Sequence, residues 1–174
     1  AIDEMIRKHP RNVNIHIRWM IRQDMEDVLA IENECFDYPW AINNFVRSLR
    51  QRNTIGMVAE HEDHVIAFMV YDLLKTRIHL SNFAVAVDFW RHGVGTAMIY
   101  KLKGKLSTQR RNRICLEVRE ENLRGQLFFR SQGFTASAVL HGFYEDSDSD
   151  AYLMNYRLSK TVTQNELDEC YVGI

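Results

Sequence analysis

Residues 82–96 read NFAVAVDFWRHGVGT, an apolar run that leads into two closely spaced glycines. The apolar residues 78–87 predict a β-strand, and the apolar stripe that begins at Val94 predicts a helix. Gly93 and Gly95 permit a tight turn between the two, and the unsatisfied N–H groups at a helix start favour an anion. The pattern predicts either a pocket for a pyrophosphate or a plain strand-to-helix turn that needs glycine.

A dinucleotide-binding turn is the main competitor for this stretch. Its fingerprint needs a third glycine where this chain has Met98, whose bulk opposes close packing of the helix on the strand. Glu117 lies about where the ribose-binding acid of that fold is expected, so spacing alone does not exclude a dinucleotide-binding fold. The strands and helices predicted before residue 80 are stronger evidence against a dinucleotide-binding fold, because such a fold has its glycine turn directly after its first strand.

The flanking sequence predicts further strands and helices. Alternation of polar and apolar residues at 15–19 indicates a strand, and two amphipathic helices follow, one that Asp24 caps and one that starts after Pro39. The polar turn 61–64 predicts a hairpin. Further strands are predicted at 54–60, 65–74, 113–119, 134–140 and 151–158, and a short helix at 123–131. The order β-α-α-β-β-β-α-β-α-β-β predicts a mixed α/β sheet of about seven strands, with about four helices on its two faces.

The bulk composition limits the classes of function. The 174 residues suffice for one domain, and a net charge of −1 gives no global reason to expect direct binding of nucleic acid. The basic run 101–113 is most simply a solvated helix face, with phosphate contact as the alternative. No apolar stretch approaches the ~20 residues that span a membrane. Three scattered cysteines without a CxxC pair fit a cytoplasmic protein.

Five segments of the chain carry a joint resemblance. They are 82–95, 34–40 (ECFDYPW), 116–122 (LEVREEN), 128–134 (FFRSQGF), and 143–144 with 150–154. Taken together, in order and spacing, they are similar to the GNAT N-acetyltransferase family, and most closely resemble its bacterial RimI-like ribosomal-protein-alanine N-acetyltransferases. In that family the five correspond to the acetyl-CoA motif, the N-terminal substrate loop, the catalytic strand end, the helix-to-GF turn and the last hairpin. The resemblance implies a GNAT-type domain at 15–158, with a flexible extension at 1–14 and a tail at 159–174.

The resemblance also implies acetyl-CoA as cosubstrate, without a metal. Phe83, Ala84 and Val85 would line the acetyl and pantetheine arm, with the N–H of Val85 near the thioester oxygen. In the family this strand splays from its neighbour, which leaves backbone groups for the cofactor. The remaining cofactor contacts would come from Arg91, His92, Gly93, Val94, Gly95, Thr96, Asn122 and Phe129. The substrate would be lined by Phe36, Tyr38, Trp40 and Tyr144.

Glu117 is the general base that the resemblance implies, and the residue pattern allows it. Acetyl transfer needs a neutral amine, and an α-amine has an ordinary pKa of about 7.7–8.0, against about 10.4 for lysine. A modest base therefore suffices. Strand alternation turns Glu117 away from the apolar residues Ile114, Leu116 and Val118, toward a face where a substrate groove could lie. The alternative is a cross-strand ion pair with a neighbour.

Two positions depart from the family. Trp90 replaces a Gln or Arg before the first glycine, a change that main-chain N–H groups and the adjacent Arg91 and His92 can absorb. Phe129 stands where RimI-like enzymes have a tyrosine that protonates the departing thiolate. Water or Tyr144 could replace that acid, although a peptide-lining role for Tyr144 is the simpler interpretation. The third possibility is that Phe129 marks weak or lost activity.

Other candidate sites are weaker. His61 and His64 form an H-x-x-H in a short polar turn, which favours a surface hairpin over a metal site. Cys35 and Cys115 lie on apolar patterns that favour core packing over a nucleophile. Packing alone and a peptide groove explain equally well the aromatic residues Phe36, Tyr38 and Trp40.

The sequence thus predicts an acetyl-CoA-dependent N-acetyltransferase that acts on the N-terminal α-amine of a protein, with a ribosomal protein as one candidate acceptor. Two alternatives remain. One is a small-amine acetyltransferase of the same fold, and the other is an acyl-CoA-binding module without catalysis, which Phe129 motivates. No direct nucleic-acid or membrane partner is expected. The oligomeric state and the accepted N-terminal residue stay open.

Overall fold

The computed structural model describes residues 13–159. They contain seven strands and four α-helices in the predicted order, with two short 3₁₀ helices at Arg22–Asp24 and Val87–Phe89. The strands are β1 His16–Trp19, β2 Thr54–His61, β3 His64–Leu73, β4 Ile78–Val85, β5 Arg113–Arg119, β6 Thr135–Leu140 and β7 Ala151–Arg157. The helices are α1 Met25–Cys35, α2 Ile42–Leu49, α3 Val94–Lys103 and α4 Leu123–Ser131. The predicted mixed α/β architecture is confirmed.

All seven strands form one sheet, in the order β1-β2-β3-β4-β5-β7-β6. Neighbouring strands run antiparallel, except that β4 and β5 are parallel. A parallel pair cannot be joined by a hairpin, and α3 supplies the crossover between the two. The glycine turn therefore lies directly between β4 and the helix that crosses the sheet.

Helices cover both faces of the sheet, and each face has its own core. On one face α3 packs with Val94, Met98 and Leu102 of the predicted stripe buried. On the other face lie α1 and α2, where the fully buried Phe45 meets Phe68 edge to face, with 5.6 Å between ring centroids. Burial of one such side chain stabilises the fold by about 1.5–3 kcal/mol.

Asp24 occupies the N-cap position of α1, as predicted, but its side chain does not cap that helix. The helical segment already begins with the 3₁₀ turn at Arg22, and Asp24 makes no side-chain cap bond. Its carboxylate instead accepts from the N–H of Ile21 at 2.8 Å and pairs with Arg18 at 2.7 Å. The acid therefore ties the start of the helix back to β1.

The hairpin between β2 and β3 agrees with the sequence prediction, whereas the end of β4 does not. The predicted hairpin at 61–64 is confirmed, and Glu62 and Asp63 both have positive φ, as a tight two-residue turn requires. The strand predicted to reach residue 87 ends at Val85 instead. The chain folds there into a 3₁₀ turn, in which the N–H of Phe89 donates to Ala86 at 2.9 Å.

The predicted extension 1–14 and tail 159–174 lie almost wholly outside the described residues. Val13 donates its N–H to His92 O at 3.3 Å and packs against the α3-side core. Asn14 O lies 2.7 Å from His61 Nδ1. The division into extension, domain and tail stays a prediction. Across residues 13–159, no helix combines the length and apolar character needed to cross a membrane.

Candidate active site

Strands β4 and β5 pair only at their beginnings and then separate. Their register consists of Ile78 with Ile114 and His79 with Cys115. Beyond these pairs β4 continues beside β3 alone, and β5 continues beside β7 alone. A wedge-shaped gap therefore opens in the middle of the sheet, as the resemblance implies.

A bulge in β4 determines which of its side chains point to each face of the sheet beside this gap. The register with β3 shifts by one residue at Ser81. One extra residue reverses the faces of a strand, so Leu80 and Phe83 both face α3 although they are three positions apart. Ala84 faces the α1 side instead.

The backbone of Val85 is turned toward the gap. The N–H of Ala86 donates to Ile66 O of β3 at 2.8 Å, so alternation along the strand directs the groups of Val85 away from β3. Val85 O accepts from Trp90 Nε1 at 2.6 Å and from Cys35 Sγ at 3.2 Å. Trp90, one of the departures from the family, thus anchors the end of β4. The geometry is compatible with the role predicted for the Val85 N–H.

The turn before α3 presents unsatisfied backbone N–H groups. Gly93 has a φ of 79° and Arg91 a φ of 62°, both in the left-handed region. The first N–H bonded within the helix belongs to Ala97, which donates to Gly93 O at 3.0 Å. The N–H groups of Val94 and its two successors therefore point out of the helix, where they can stabilise an anion.

Gly95 lies where helix packing leaves no room for a side chain. A Cβ at this position would lie 3.0 Å from the ring of Phe128 and 3.4 Å from that of Phe83. These two rings stack with centroids 5.5 Å apart. Thr96 Oγ1 accepts from Gln132 Nε2 at 3.1 Å. The second glycine therefore lets α3 approach α4.

Cationic side chains lie beside the glycine turn. The guanidinium carbon of Arg124 lies 4.0 Å from the centroid of the Trp90 ring. Arg91 is exposed, and His92 Nδ1 lies 2.8 Å from Trp90 O. The sequence pattern does not point to Arg124, because only the fold brings the start of α4 next to this turn.

Asn122 and Phe129 both have structural partners. Asn122 Oδ1 accepts the N–H of Gly125 at 2.9 Å and so caps α4, which leaves its amide nitrogen for the pantetheine contact that stays a prediction. Phe129 is buried in the α3-side core, with its ring centroid 5.9 Å from that of Phe83 and 5.3 Å from that of Phe134. Packing explains why an apolar ring is tolerated there.

Glu117 lines an open cleft of about 850 Å³ on the face of the sheet opposite α3. This cleft, called the Glu117 cleft below, also includes His79, Cys115, Leu153 and Asn155. Glu117 Oε2 lies 2.7 Å from His79 Nε2, so the cross-strand contact that the sequence left as an alternative is present. The Glu117 side chain is nevertheless 21% exposed. Its role as base stays a prediction.

His79 lies between two carboxylates. Its Nδ1 is 3.4 Å from Asp72 Oδ2, which also accepts from Ser81 Oγ at 3.1 Å. The hydrogen bond with Glu117 is the main cause that raises the pKa of His79, and partial burial opposes it. The sequence pattern does not single out His79, since it is 38 positions from Glu117 along the chain.

Arg119 joins the two predicted substrate loops. Its guanidinium carbon lies 3.7 Å from the ring centroid of Tyr144 and 4.5 Å from that of Tyr38. Its Nη2 pairs with Asp146 Oδ2 at 2.6 Å. Burial raises the pKa of Tyr144 to about 12. A phenol that holds its proton so firmly is a poor acid, which agrees with the peptide-lining interpretation.

Phe36 and Trp40 pack against the core beneath α1. The Trp40 ring meets Phe45 with 5.2 Å between centroids, and its backbone N–H donates to the buried Glu32 at 2.8 Å. Phe36 is partly buried against the same core. Tyr38 is 48% exposed and contacts Arg119. Packing therefore accounts for two of the three aromatic residues of the loop.

The remaining candidates from the sequence have structural roles. Burial raises the pKa of Cys35 to about 11 and raises that of Cys115, so both thiols hold their protons. His61 and His64 each direct Nδ1 at a backbone carbonyl oxygen 2.7 Å away. These contacts agree with core packing for the cysteines and a surface hairpin for the histidines.

Comparison with known proteins identifies the family. The model of the acetyltransferase (GNAT) family matches residues 25–134, which is more than half of the chain. The chain belongs to the GNAT acetyltransferase family. Among named relatives of this GNAT protein are the ribosomal protein bS18-alanine N-acetyltransferases of Salmonella typhimurium and Escherichia coli K12. Each is 25% identical over 138 residues, which cover 78% of this chain and 93% of the relative.

Solved structures share the GNAT fold with this chain. Ard1 from Thermoplasma volcanium has a TM-score of 0.76 at 26% identity, over 85% of this chain and 100% of that one. The ribosomal-protein-S18-alanine N-acetyltransferase from Escherichia coli has a TM-score of 0.74 at 22% identity, over 87% of this chain and 98% of that one. The predicted GNAT fold and acetyltransferase class are confirmed, while the roles of individual residues stay predictions.

Proposed function

We propose that this GNAT protein transfers the acetyl group of acetyl-CoA to the N-terminal α-amine of a protein. The observation that carries the proposal is the gap between β4 and β5. The glycine turn and α3 lie on one side of the gap, and Glu117 lies on the other. A cofactor arm and an acceptor amine can therefore meet in the gap from opposite faces of the sheet.

The residues around the gap fit acetyl-CoA, which supplies an activated acyl group as a thioester. The N–H groups at the start of α3 suit a pyrophosphate, and Arg91 and Arg124 add positive charge beside them. The N–H of Val85 would donate to the oxygen that gains charge during attack. Phe83 and Phe129 offer apolar contact to the arm.

Glu117 would remove the proton of the acceptor ammonium group. Only the neutral amine carries the lone pair that attacks, and the ordinary pKa of an α-amine, about 7.7–8.0, makes this step modest near neutral pH. Cys115 lies in the same cleft but its raised pKa keeps it a thiol, which is a weak nucleophile. The acetyl group therefore passes directly to the amine, without an acyl-enzyme.

The departing thiolate has no obvious proton donor in the two positions that the family suggests. Phe129 carries no acidic proton and is buried. Tyr144 has a pKa raised to about 12 and holds its proton. Solvent in the open gap is therefore the proton source for the thiolate in this proposal.

A peptide acceptor is supported by the two loops that Arg119 joins. The rings of Tyr38 and Tyr144 both contact the guanidinium of Arg119 at the end of β5. Relatives named for alanine N-acetylation of ribosomal protein bS18 support a ribosomal acceptor. Such an acceptor also agrees with the predicted cytoplasmic location.

A thiol-release assay with acetyl-CoA tests the proposal. We expect release with short peptides that have free, small N-terminal residues, and much less with spermidine or the same peptides after N-terminal blocking. Release with small amines alone would identify a small-molecule amine, rather than a protein N-terminus, as the acceptor. No release, with acetyl-CoA still bound by calorimetry, would favour the non-catalytic module that the buried Phe129 motivates.

A further inference from the structure

The proposed transfer uses Glu117 as base but assigns no role to His79, which contacts it. Glu117 Oε2 and His79 Nε2 lie 2.7 Å apart, at the point where the backbones of β4 and β5 cease to pair. On the other side of the ring, His79 Nδ1 lies 3.4 Å from Asp72 Oδ2. Three side chains from β3, β4 and β5 thus form a line across the sheet that ends in the Glu117 cleft.

Asp72 is itself held in place. The hydroxyl of Ser81, the bulge residue of β4, donates to Asp72 Oδ2 at 3.1 Å, and the hydroxyl of Thr54 donates to Asp72 Oδ1. A carboxylate fixed in this way orients the imidazole and favours the tautomer that carries its proton on Nδ1. His79 Nε2 is then the nitrogen that faces Glu117.

The charges around His79 favour its protonated form. A carboxylate oxygen only accepts, so both ring nitrogens donate at once only when the imidazole carries two protons. The bonds to Glu117 and Asp72 accordingly raise the pKa of His79, Glu117 first. Partial burial opposes this effect. The positively charged side chains that line the same cleft are Arg77, Arg113 and Arg157.

We propose that His79 is a positioning residue that receives, through Glu117, the proton released by the acceptor amine, an inference that rests on the proposed acetyl transfer. The N–H bond of the ammonium breaks and its proton passes to Glu117. Glu117 then gives that proton to Nε2 of the neutral imidazole, which restores the carboxylate. The imidazolium later releases the proton to solvent in the cleft. The nitrogen also loses a second proton when it becomes an amide, and the departing CoA thiolate takes up one proton to become a thiol. One proton is therefore released to solvent per acetyl group transferred.

A definite pH dependence follows from this role. Only the neutral imidazole can receive a proton, so kcat rises with pH through the pKa of His79, which lies above the ordinary value of about 6.5. His79→Gln can still donate to Glu117 but cannot take a proton. A general base is worth about 10²–10⁴-fold, and because this variant keeps Glu117 we expect a smaller fall in kcat, of about tenfold, with peptide KM nearly unchanged.

The test combines pH profiles of kcat with an NMR titration of the histidine rings. Wild type is compared with His79→Gln and Asp72→Asn, and His64→Gln serves as control because its ring contacts only a backbone oxygen of the hairpin turn. We expect the His79→Gln profile to lose the limb at the His79 pKa, Asp72→Asn to move that limb to lower pH, and the control to match wild type. Thermal unfolding and acetyl-CoA binding verify that the variants fold.

Two results overturn the inference while leaving the proposed function intact. One is a His79→Gln profile with the wild-type shape, whether or not its kcat is lowered by a constant factor. The other is a His79 pKa in the NMR titration that does not fall in Glu117→Gln. A wild-type protein that binds acetyl-CoA but releases no thiol with any peptide that has a free N-terminus would instead overturn the proposed function itself.

Discussion

Replacing Arg119 with methionine should weaken peptide binding without weakening acetyl-CoA binding. Methionine keeps an apolar stem but loses the cation that lies 3.7 Å from the Tyr144 ring centroid and 4.5 Å from the Tyr38 ring centroid. The Arg119 side chain is 19% exposed, so the closer contact is partly shielded from water, whereas Tyr38 is 48% exposed. Cation–π contacts contribute about 0.5–1 kcal/mol when exposed and more when shielded, which gives about 1.5 kcal/mol for the pair.

Because these contacts lie within the protein, their loss raises peptide KM only as far as peptide binding must then order the two loops. A full cost of about 1.5 kcal/mol gives an upper bound of roughly tenfold on that rise. The pair between Arg119 and Asp146 should not make this effect depend on pH in the assay range. The hydrogen bond from Arg119 lowers the pKa of Asp146, so the carboxylate stays charged down to acidic pH and the pair is lost only as pH falls through that lowered pKa.

The assay is initial-rate kinetics with varied peptide at saturating acetyl-CoA, with calorimetry for acetyl-CoA affinity. Arg110→Met, which replaces an exposed arginine in the connection before β5, is the matched control and should leave KM unchanged. An Arg119→Met protein that is folded and keeps the wild-type peptide KM would refute the argument that this residue organises the acceptor loops.

Three further variants test the site and the core beneath α1. Phe129→Tyr should raise turnover and leave acetyl-CoA affinity nearly unchanged if a missing acid limits the rate; a faster wild type would contradict this account. Glu117→Gln should lower kcat by about 10²-fold at pH 7 and by much less at pH 9, where the α-amine is already neutral, and a deficit that is constant with pH would count against the base role. Glu32→Ala should lower the free energy of unfolding by about 2–4 kcal/mol in denaturant titrations, because the buried carboxylate accepts from Trp40 N–H and Asn82 Nδ2. Burial also raises the pKa of Glu32, so wild-type stability should decrease as pH rises above the ordinary glutamate pKa, and a slope that persists in the variant would argue against this cause.

Local pattern was sufficient for the order of the elements and for the family. Apolar periodicity distinguishes strands from helices because side chains alternate with period two in a strand and about 3.6 in a helix. The buried stripe Val94, Met98 and Leu102 and the buried face Ile114, Leu116 and Val118 follow directly from that rule. The same pattern placed Asp24 correctly at the start of α1 but not the bond that its side chain makes, because a 3₁₀ turn precedes the helix.

Tertiary structure alone decided the contacts that give the site its chemistry. His79 meets Glu117 across 38 positions, Arg119 meets Tyr144 between two loops, and Arg124 meets Trp90 beside the glycine turn. The first contact depends on how β4 pairs with β5, and the other two on segments that the fold brings together from distant parts of the chain. Within β4, the bulge at Ser81 shifts the register with β3 by one residue and reverses which side chains face α3. A period read along the chain cannot reveal such a shift, because the shift is a relation between two strands. The sequence by itself determined the fold and the family, whereas packing of the sheet determined which side chains stand beside Glu117.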